Sequence, residues 1–467
     1  MSSSTTERTH PVLFTTQTTS QLPSSKFMIP VSWKRYQLSQ LINKALGLGG
    51  EVGAGYVPFD FLIRGEILRS GVSLDEWCKE KAVPEEETLE IEYFESVMPP
   101  QKMSSLPHED WVSDVECQLP GYFLTSSYDG RIRLFNYSQN LLHTIHSHEA
   151  PATCLTLIPS TTSTSTSHII ASGSLDSSTR ITKISKGEEE NWNTEHLASL
   201  PLHTAPISSI SSNPTGTLLL TSSWDGLVGV WDTKIPSSDE VPATSVTEGR
   251  KKRRRVQEDG EEGSGEGKRK APVNVLKSHQ GRVSKAIFAS GEGEGRRAYS
   301  VGFDSSIRVW DVEIGVCVDT ITASNKPFLS LSQQSSSTIL ASSTDRTVSL
   351  YDIRLSSSSS SLSNSPIQTF LHPNTPSCIT TPSTSSNQFI SGSYDGIVRL
   401  WDLRSQKSAL TSFKAWSGGE GSQGAATSVP KKVLSVDWNN GEGLVGIGGE
   451  GGFEVWKVSS STNPGSK

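Results

Sequence analysis

One spacing recurs seven times along the chain and limits what the chain can fold into. In the five clear copies an acidic residue is followed six positions later by an aromatic residue, with a short β-branched strand between them: Asp129 and Phe135, Asp225 and Trp231, Asp304 and Trp310, Asp345 and Tyr351, Asp395 and Trp401. Two weaker copies keep the same register, from Asp176 to Thr182 and from Glu450 to Trp456. A fixed period of this kind predicts a repeat architecture in which each unit packs on its neighbours.

A histidine followed by apolar residues four and seven positions later stands upstream of most copies. These histidines are His108, His148, His203, His279 and, with a weaker match, His372. The fifth and seventh copies lack the histidine but keep an apolar pair. The two patterns together match the WD40 repeat, which has about 40 residues and four strands per blade. We therefore predict a mostly β chain in which residues 108–459 form a seven-bladed WD40 β-propeller.

The recurring polar residues of the blades are interpreted as structural. Serine stands two positions before five of the acids, at Ser127, Ser174, Ser223, Ser343 and Ser393, which superficially resembles nucleophile chemistry. A catalytic constellation occurs once in a domain, however, and does not recur around a ring. Buried polar groups are normally hydrogen-bonded, so we predict a network within each blade. The sequence supports neither an enzyme nor a bound cofactor.

Composition excludes several other classes. The five cysteines are scattered, with no CxxC pair and no histidine cluster beside them, which argues against a zinc site or a disulfide framework. No apolar run has the length of a signal peptide or a membrane span, so we expect a soluble intracellular protein without membrane contact. The net charge of −7 argues against general polyanion binding. Direct RNA contact would therefore need a local patch.

A long polar insertion separates Asp232 from Val273, and we expect residues 236–272 to be disordered. It carries two basic clusters, the first of Lys251, Lys252, Arg253, Arg254 and Arg255, the second of Lys268, Arg269 and Lys270. Two such clusters on a flexible loop are typical of a bipartite nuclear localisation signal. A solvated charge run and an RNA contact are the alternatives.

Residues 10–96 follow a different pattern from the repeats. Apolar alternation predicts strands at 12–16 and 27–33, a strand pair over 57–68 and a final strand at 88–94, with helices over 34–47 and 73–83. This order predicts a small α+β domain of the ubiquitin-like, β-grasp type. The repeats stop at the third strand of the seventh blade. We therefore expect the linker, residues 97–107, to supply the missing outer strand and close the ring.

The segments FDFLIRGEILR, TLEIEY and MPPQ, followed by a ring opened by EDWVSDV, resemble a known family. The chain is similar to the WD-repeat factors of large-subunit ribosome biogenesis that carry a Notchless-like ubiquitin-like domain. Within them it resembles the members that form a trimer with pescadillo and the block-of-proliferation WD-repeat protein. The resemblance implies a non-catalytic scaffold on the pre-60S ribosomal particle, needed for pre-rRNA processing, in the nucleolus and nucleoplasm of the nucleus.

The resemblance also implies how such a scaffold is removed. In the family, the ubiquitin-like domain is grasped by midasin, an AAA-type ATPase whose metal-dependent adhesion domain binds a carboxylate supplied in trans. Magnesium accepts hard oxygen donors of this kind. Matching the LEIEY strand to the family places the ligand at Glu86, with Glu85 and Glu87 as alternatives. An ordinary solvated acidic turn is the competing interpretation.

Other readings of the domain order remain open. The Notchless factor itself resembles an eight-bladed ring, whereas seven blades are counted here. A substrate adaptor of a ubiquitin ligase is a second alternative, although the chain lacks an F-box-like helical segment. An enzyme is the third, and no residue pattern favours it.

Overall fold

The computed structural model describes residues 8–17, 21–23, 25–48, 56–84, 86–159, 167–187, 191–241, 267–291, 295–322, 325–354, 365–382, 387–417, 430–439 and 441–458. These residues form a small N-terminal domain and a ring of seven further sheets. Strands dominate, and the described residues contain two α-helices. Neither helix is long and apolar enough to cross a bilayer.

The N-terminal domain is a five-stranded sheet that packs against both helices. Its elements are β1 (Thr9–Thr15), β2 (Lys26–Pro30), α1 (Arg35–Ala45), β3 (Phe59–Ile63), β4 (Glu66–Ile67), α2 (Leu74–Glu80) and β5 (Leu89–Glu95). The strand order is β2-β1-β5-β3-β4, and β1 runs parallel to β5 in the centre. This is the β-grasp order, as the sequence predicts.

The two helices of this domain form where apolar residues recur at helical spacing. Leu38 and Ile42 on α1 are fully buried against the sheet, four residues apart on one face. Ser73 is the N-cap residue of α2, and its side chain accepts a hydrogen bond from the backbone N–H of Glu76. The Glu76 carboxylate accepts a hydrogen bond from the backbone N–H of Ser73 in turn. Local sequence therefore fixes both helix positions.

Each propeller blade has an antiparallel sheet of four strands, to which blade two adds a fifth. The strands are β7 (Val112–Glu116), β8 (Tyr122–Ser127), β9 (Arg131–Asn136) and β10 (Leu141–His146) in blade one; β11 (Ala152–Ile158), β12 (Ser167–Ser174), β13 (Thr179–Lys186) and β14 (Trp192–Ser199) in blade two; β15 (Ile207–Ser212), β16 (Leu218–Ser223), β17 (Leu227–Asp232) and β19 (Asn274–Lys277) in blade three; β20 (Val283–Phe288), β21 (Arg297–Gly302), β22 (Ile307–Asp311) and β23 (Val316–Ile321) in blade four; β24 (Phe328–Gln333), β25 (Thr338–Ser343), β26 (Thr347–Asp352) and β27 (Gln368–Leu371) in blade five; β28 (Pro376–Thr380), β29 (Gln388–Ser393), β30 (Ile397–Asp402) and β31 (Thr411–Lys414) in blade six; and β32 (Val433–Asn439), β33 (Leu444–Gly449) and β34 (Gly452–Lys457) in blade seven.

The linker provides the fourth strand of blade seven. Strand β6 (Gln101–Leu106) pairs antiparallel with β34, with Ser104 opposite Val455. Because β6 follows directly on the ubiquitin-like domain, that domain is attached at the seam of the ring.

The first strand of every blade lies innermost and contacts the first strand of the next blade. Side-chain hydroxyls on these strands donate hydrogen bonds to carbonyl oxygens of the neighbouring blade. They are Thr153 to Ile207 (2.8 Å), Ser208 to Val283 (2.7 Å), Ser284 to Phe328 (2.6 Å) and Ser377 to Val433 (2.6 Å). The same short polar residues that satisfy edge carbonyls therefore also hold neighbouring blades in register.

The prediction that residues 236–272 are disordered is wrong for both described ends of the insertion, 236–241 and 267–272. Strand β18 (Lys268–Arg269) joins the sheet of blade two as a fifth strand, parallel to β14. The backbone N–H of Arg269 donates to Asp239 at 2.8 Å, and the backbone N–H of Glu240 donates back to the carbonyl of Arg269 at 2.9 Å. The outer strand β14 of blade two offers free backbone groups, and β18 pairs with them. Asp239 and Glu240 in turn bond to Arg269, so both described ends of the insertion are ordered.

Candidate functional site

The acidic segment after α2 forms a tight turn before β5. The backbone N–H of Glu87 donates to the carbonyl of Pro84 at 3.2 Å, and His10 holds that carbonyl from the other side at 3.3 Å. Glu86 and Glu87 are both exposed. Glu85 lies outside the described residues. The turn thus presents the carboxylates of Glu86 and Glu87 just before β5, the central strand of the ubiquitin-like sheet.

The two described carboxylates differ in their surroundings. Glu87 forms an ion pair with the guanidinium group of Arg64. Glu86 makes no hydrogen bond or ion pair with any residue that the structure describes. A carboxylate without an internal partner can bind an external cation without first losing an ion pair. Of the two, Glu86 is therefore better placed to bind a metal ion held by another molecule.

The described residues offer no metal site of their own. No group of three or more His, Cys, Asp or Glu side chains within them is arranged to hold a metal ion. One exposed carboxylate can complete a coordination shell only where other ligands already hold the metal. The chemistry available to the turn is therefore that of a single ligand supplied in trans.

The ubiquitin-like domain also contacts blade six directly. Arg404, in the loop after β30, forms an ion pair with Glu92 at 2.8 Å and lies over the ring of Phe94, 4.6 Å from its centroid. Asp402 is fully buried and holds the same guanidinium group from the propeller side. Arg404 therefore joins the two domains. Sequence reasoning missed this contact, because partners 312 positions apart carry no local signal.

Two blades contain a complete polar network between histidine, hydroxyl, acid and tryptophan. In blade three, His203 contacts Asp225 at 3.0 Å through Nδ1 and the Thr221 hydroxyl at 2.8 Å through Nε2, and Trp231 donates to the same hydroxyl at 2.9 Å. In blade four the corresponding residues are His279, Asp304, Ser300 and Trp310, with distances of 2.9, 2.6 and 2.7 Å. These groups satisfy one another inside the blade and leave none poised for chemistry.

The other blades replace parts of this network. In blades one and six, the acids Asp129 and Asp395 pair with an arginine four positions later, Arg133 and Arg399. The histidines of those blades, His108 and His372, instead contact a backbone carbonyl through Nδ1 and a strand hydroxyl through Nε2, and Trp401 shares that hydroxyl in blade six. In blade two His148 lies 4.0 Å from Asp176, and in blade five Asp345 bonds to Thr347.

The hydroxyl that joins each histidine stands four positions before the acid, as Thr221 does before Asp225. The serine two positions before the acid has another role, since Ser223 accepts from the backbone N–H of Asp225 and donates to the carbonyl of Ala205. It belongs to the turn. The structure shows no hydrogen bond between Ser223 and His203, and the Thr221 hydroxyl that does contact His203 is fully buried and shared with Trp231, which agrees with a structural network.

Burial of the blade histidines makes the stability of the propeller depend on pH. Burial lowers the pKa of His148 and of His372 to about 4. Both are therefore neutral in the folded chain at pH 7, while an unfolded histidine binds a proton below about pH 6.5. The contribution of these histidines to folded-state stability is complete above pH 6.5 and is lost as the pH falls towards 4, by on the order of 3 kcal/mol per histidine.

We accordingly expect the urea midpoint to fall steadily from pH 6.5 to pH 4. His146 is exposed, so His146→Ala should leave that curve unchanged, whereas His372→Gln should flatten it as well as lower it. A midpoint that stays constant across this range would contradict the assignment of neutral buried histidines.

The structure places one of the two predicted basic clusters. Lys251, Lys252, Arg253, Arg254 and Arg255 lie outside the described residues, whereas Lys268, Arg269 and Lys270 are placed. Lys270 is buried and its ammonium group donates to the carbonyl of Lys234, and Lys268 donates to the carbonyl of Ser237 at 2.8 Å. The second cluster is thus part of the blade-two edge and not a free loop, which corrects the expectation of two flexible clusters.

Two family models match the chain. The NLE (NUC135) domain model matches residues 11–77, within the ubiquitin-like domain. The model of the WD domain, G-beta repeat, matches residues 101–136, 194–232, 315–352 and 364–402. The matched segments fall on both domains that the structure contains.

Curated relatives match nearly the whole chain. A protein of Laccaria bicolor named ribosome biogenesis protein YTM1 is 55% identical over 454 residues, covering 96% of this chain and 94% of that protein. Proteins of the same name from Coprinopsis cinerea and Eremothecium gossypii are 52% and 31% identical and cover 96% and 90% of this chain, with 94% and 90% of their own lengths. Both domains and their order are therefore shared.

Among solved structures, the WD40 β-propeller domain of Doa1 is similar to the chain. It superposes with a TM-score of 0.56 at 15% identity, covering 77% of this chain and 97% of that domain. At this identity the likeness supports the propeller fold alone.

Proposed function

The chain belongs to the YTM1 family of ribosome biogenesis proteins, a non-catalytic family, and from this premise we propose the steps by which it acts. We propose that it is a scaffold of the pre-60S particle, held in a heterotrimer with pescadillo and the block-of-proliferation WD-repeat protein. Midasin then removes it by binding the ubiquitin-like domain. The finer steps rest on the family resemblance and on the site geometry together.

The observation that carries the proposal is the free carboxylate of Glu86 on the ubiquitin-like domain. It is exposed, it lies in a turn fixed by the hydrogen bond from Glu87 to Pro84, and it has no partner among the described residues. These are the requirements for a ligand that completes a metal shell on another protein, because the ligand must reach out without internal competition.

The attachment of the domain supports removal by pulling. A force applied at Glu86 passes through β5 to β6, the outer strand of blade seven, and through Arg404 to blade six. The first route ends at the seam where the ring is closed, and the second ends on the neighbouring blade six. A pull on the ubiquitin-like domain would therefore be transmitted to the propeller at its closing blade and at blade six.

Seven sheets in the ring favour this family over the eight-bladed arrangement of the Notchless factor. The adaptor of a ubiquitin ligase is disfavoured by full-length similarity to ribosome biogenesis proteins. Direct RNA contact remains part of the proposal only as a local contact, given the net charge of −7.

We propose that the chain works in the nucleus, in the nucleolus and nucleoplasm, and that residues 251–255 carry the import signal. Alanine substitution of these five residues should shift a tagged full-length protein into the cytoplasm. The matched change, Lys268→Ala with Arg269→Ala, should leave the distribution nuclear, because those residues are held in β18. Equal cytoplasmic shifts in both variants, measured by fluorescence microscopy, would instead favour a bipartite signal.

The experiment that tests the proposed function is affinity purification of the tagged, full-length chain. We expect pescadillo, the block-of-proliferation WD-repeat protein and pre-60S components to copurify in stoichiometric amounts. Recovery of ubiquitin-ligase subunits without pre-60S components would refute the proposal. An untagged strain and a tagged, unrelated propeller serve as controls.

A further inference from the structure

The turns between the second and third strands place equivalent residues around one end of the propeller channel. In blades one to six the residue just before the turn acid, and in blade seven the acid Glu450 itself, donates its backbone N–H to the carbonyl of the residue just before the innermost strand. The donors and acceptors are Tyr128 and Trp111, Leu175 and Pro151, Trp224 and Pro206, Phe303 and Arg282, Thr344 and Pro327, Tyr394 and Thr375, and Glu450 and Lys432, at 2.8 to 3.1 Å. One backbone contact thus repeats seven times and forms a closed circle.

Five of the seven donor positions, and the acceptor position of blade one, carry a large apolar side chain. We call Trp111, Tyr128, Leu175, Trp224, Phe303 and Tyr394 the collar. Four of its members are exposed: Trp111 by 43%, Leu175 by 37%, Trp224 by 40% and Phe303 by 46%. Trp111 and Tyr128 lie against each other with ring centroids 5.9 Å apart. Exposed apolar side chains gathered at one end of a folded domain in this way mark an interaction site.

The collar surrounds the mouth of the central channel. The channel has a volume of about 320 Å³ and is lined by the innermost strands of all seven blades. Its wall is polar, with hydroxyls such as Ser209, Ser330 and Ser435. An apolar rim over a polar channel fits a partner that covers the mouth and does not fill the channel.

The charges at this end are divided between its two sides. Arg282 lies over the ring of Trp224 at 4.4 Å, and Lys432 lies 5.9 Å from the ring of Tyr394 and pairs with Glu450 at 3.5 Å. Arg346 and Lys431 are also exposed there, with no ion pair to any described residue. These four cations belong to blades four to seven, where they outnumber the exposed carboxylate of Asp345 and the paired carboxylate of Glu450. The exposed carboxylates Glu109, Asp110 and Glu149 lie on the side of blades one and two.

The ubiquitin-like domain leaves the collar open. It docks on Arg404, which follows β30, whereas the collar residue Tyr394 precedes the same strand. The two therefore lie at opposite ends of blade six. A partner on the collar and a partner on Glu86 can bind at the same time.

We propose that the collar binds a segment of a partner protein that carries carboxylates beside apolar side chains. The carboxylates face the cations of blades four to seven, and the apolar side chains pack on Trp224, Phe303 and Tyr394. This deepens the scaffold role and rests on the proposed function. RNA could also use cations and aromatic rings, but Glu109, Asp110 and Glu149 on the same rim would repel its phosphates.

The test places a photo-crosslinking benzoylphenylalanine at residue 303 in the full-length chain within cells. The matched control places it at residue 316, because Val316 is exposed to a similar extent, 47%, on the outer strand of blade four. After irradiation, particles are separated by sedimentation and the cross-linked products are identified. Thermal unfolding of both variants establishes that each is folded.

The proposal predicts cross-links from residue 303 to a protein segment rich in Asp or Glu, and few from residue 316. The triple change Arg282→Glu, Arg346→Glu and Lys431→Glu should lower the yield roughly tenfold. Reversal of Arg297 and Lys457, which are exposed at the opposite end, should have little effect.

Two results would overturn the collar assignment: cross-links to RNA, or a yield at residue 303 no higher than at residue 316 while the chain sediments with pre-60S particles. Failure of the proposed function gives a different result, since the chain would then sediment away from these particles. In that case the collar assignment is still tested by two results: whether residue 303 cross-links to an acidic protein segment, and whether charge reversal removes that cross-link.

Discussion

Glu86→Ala should weaken binding of this chain to the adhesion domain of midasin by about 3 kcal/mol, roughly a hundredfold, in the presence of Mg²⁺. The reason is chemical. A methyl group cannot replace a carboxylate oxygen in a metal shell, and Glu86 has no internal partner whose loss would disturb the fold. Isothermal titration calorimetry with the full-length chain measures the effect. Addition of EDTA should remove binding of the unchanged chain.

Neighbouring acids provide the matched controls for this experiment. Glu90 is exposed on β5, four residues further along, so Glu90→Ala removes the same charge from the same domain. Glu87→Ala breaks the ion pair with Arg64 and should cost binding much less than Glu86→Ala. Glu85 is substituted separately. Unchanged binding of the variant that lacks all three acids, Glu85, Glu86 and Glu87, would exclude the turn as the ligand.

Lys102→Met should destabilise the propeller by about 3 kcal/mol, because it leaves a buried carboxylate without its cation. Lys102 is on β6 and forms an ion pair with Glu454 on β34 at 2.6 Å, and Glu454 is fully buried. The carboxylate also accepts hydrogen bonds from the Trp456 ring N–H and from the Trp416 backbone N–H. Urea unfolding of the full-length chain measures the loss.

A second substitution separates charge burial from lost packing. Adding Glu454→Gln to Lys102→Met should recover part of the stability, because an amide oxygen still accepts from Trp456 without a buried charge. Lys457→Met removes an exposed cation from the same pair of strands and should change the midpoint little. Equal midpoints for Lys102→Met and Lys457→Met would argue against closure of the ring through this ion pair.

Features with a short sequence period were predictable. The six-residue interval from acid to aromatic fixes one hairpin turn and one strand, so each copy reports its own blade, even where Thr182 replaces the aromatic residue. The apolar stripe of α1 and the capping pair Ser73 and Glu76 likewise act within a few residues. Local signals of this kind do not need knowledge of the rest of the fold.

Features that depend on distant partners were not predictable. The ion pair between Arg404 and Glu92 forms only because the loop after β30 lies beside β5 in the folded chain. The order of residues 267–272 depends on the free edge of β14 in another blade, which overrides a composition typical of a loop. The family resemblance places the ligand at Glu86, but the ion pair of Glu87 with Arg64, which distinguishes the two described carboxylates, has no local signal in the sequence.

Sedimentation of pre-60S particles from cells that contain only the Glu86→Ala chain tests the central claim most directly. The account predicts that this variant joins the particles at the normal level and then accumulates on them, because assembly uses the propeller and release uses the carboxylate. Glu90→Ala should distribute as the unchanged chain does. Normal release of Glu86→Ala, or its failure to join the particles while it remains folded, would contradict the account.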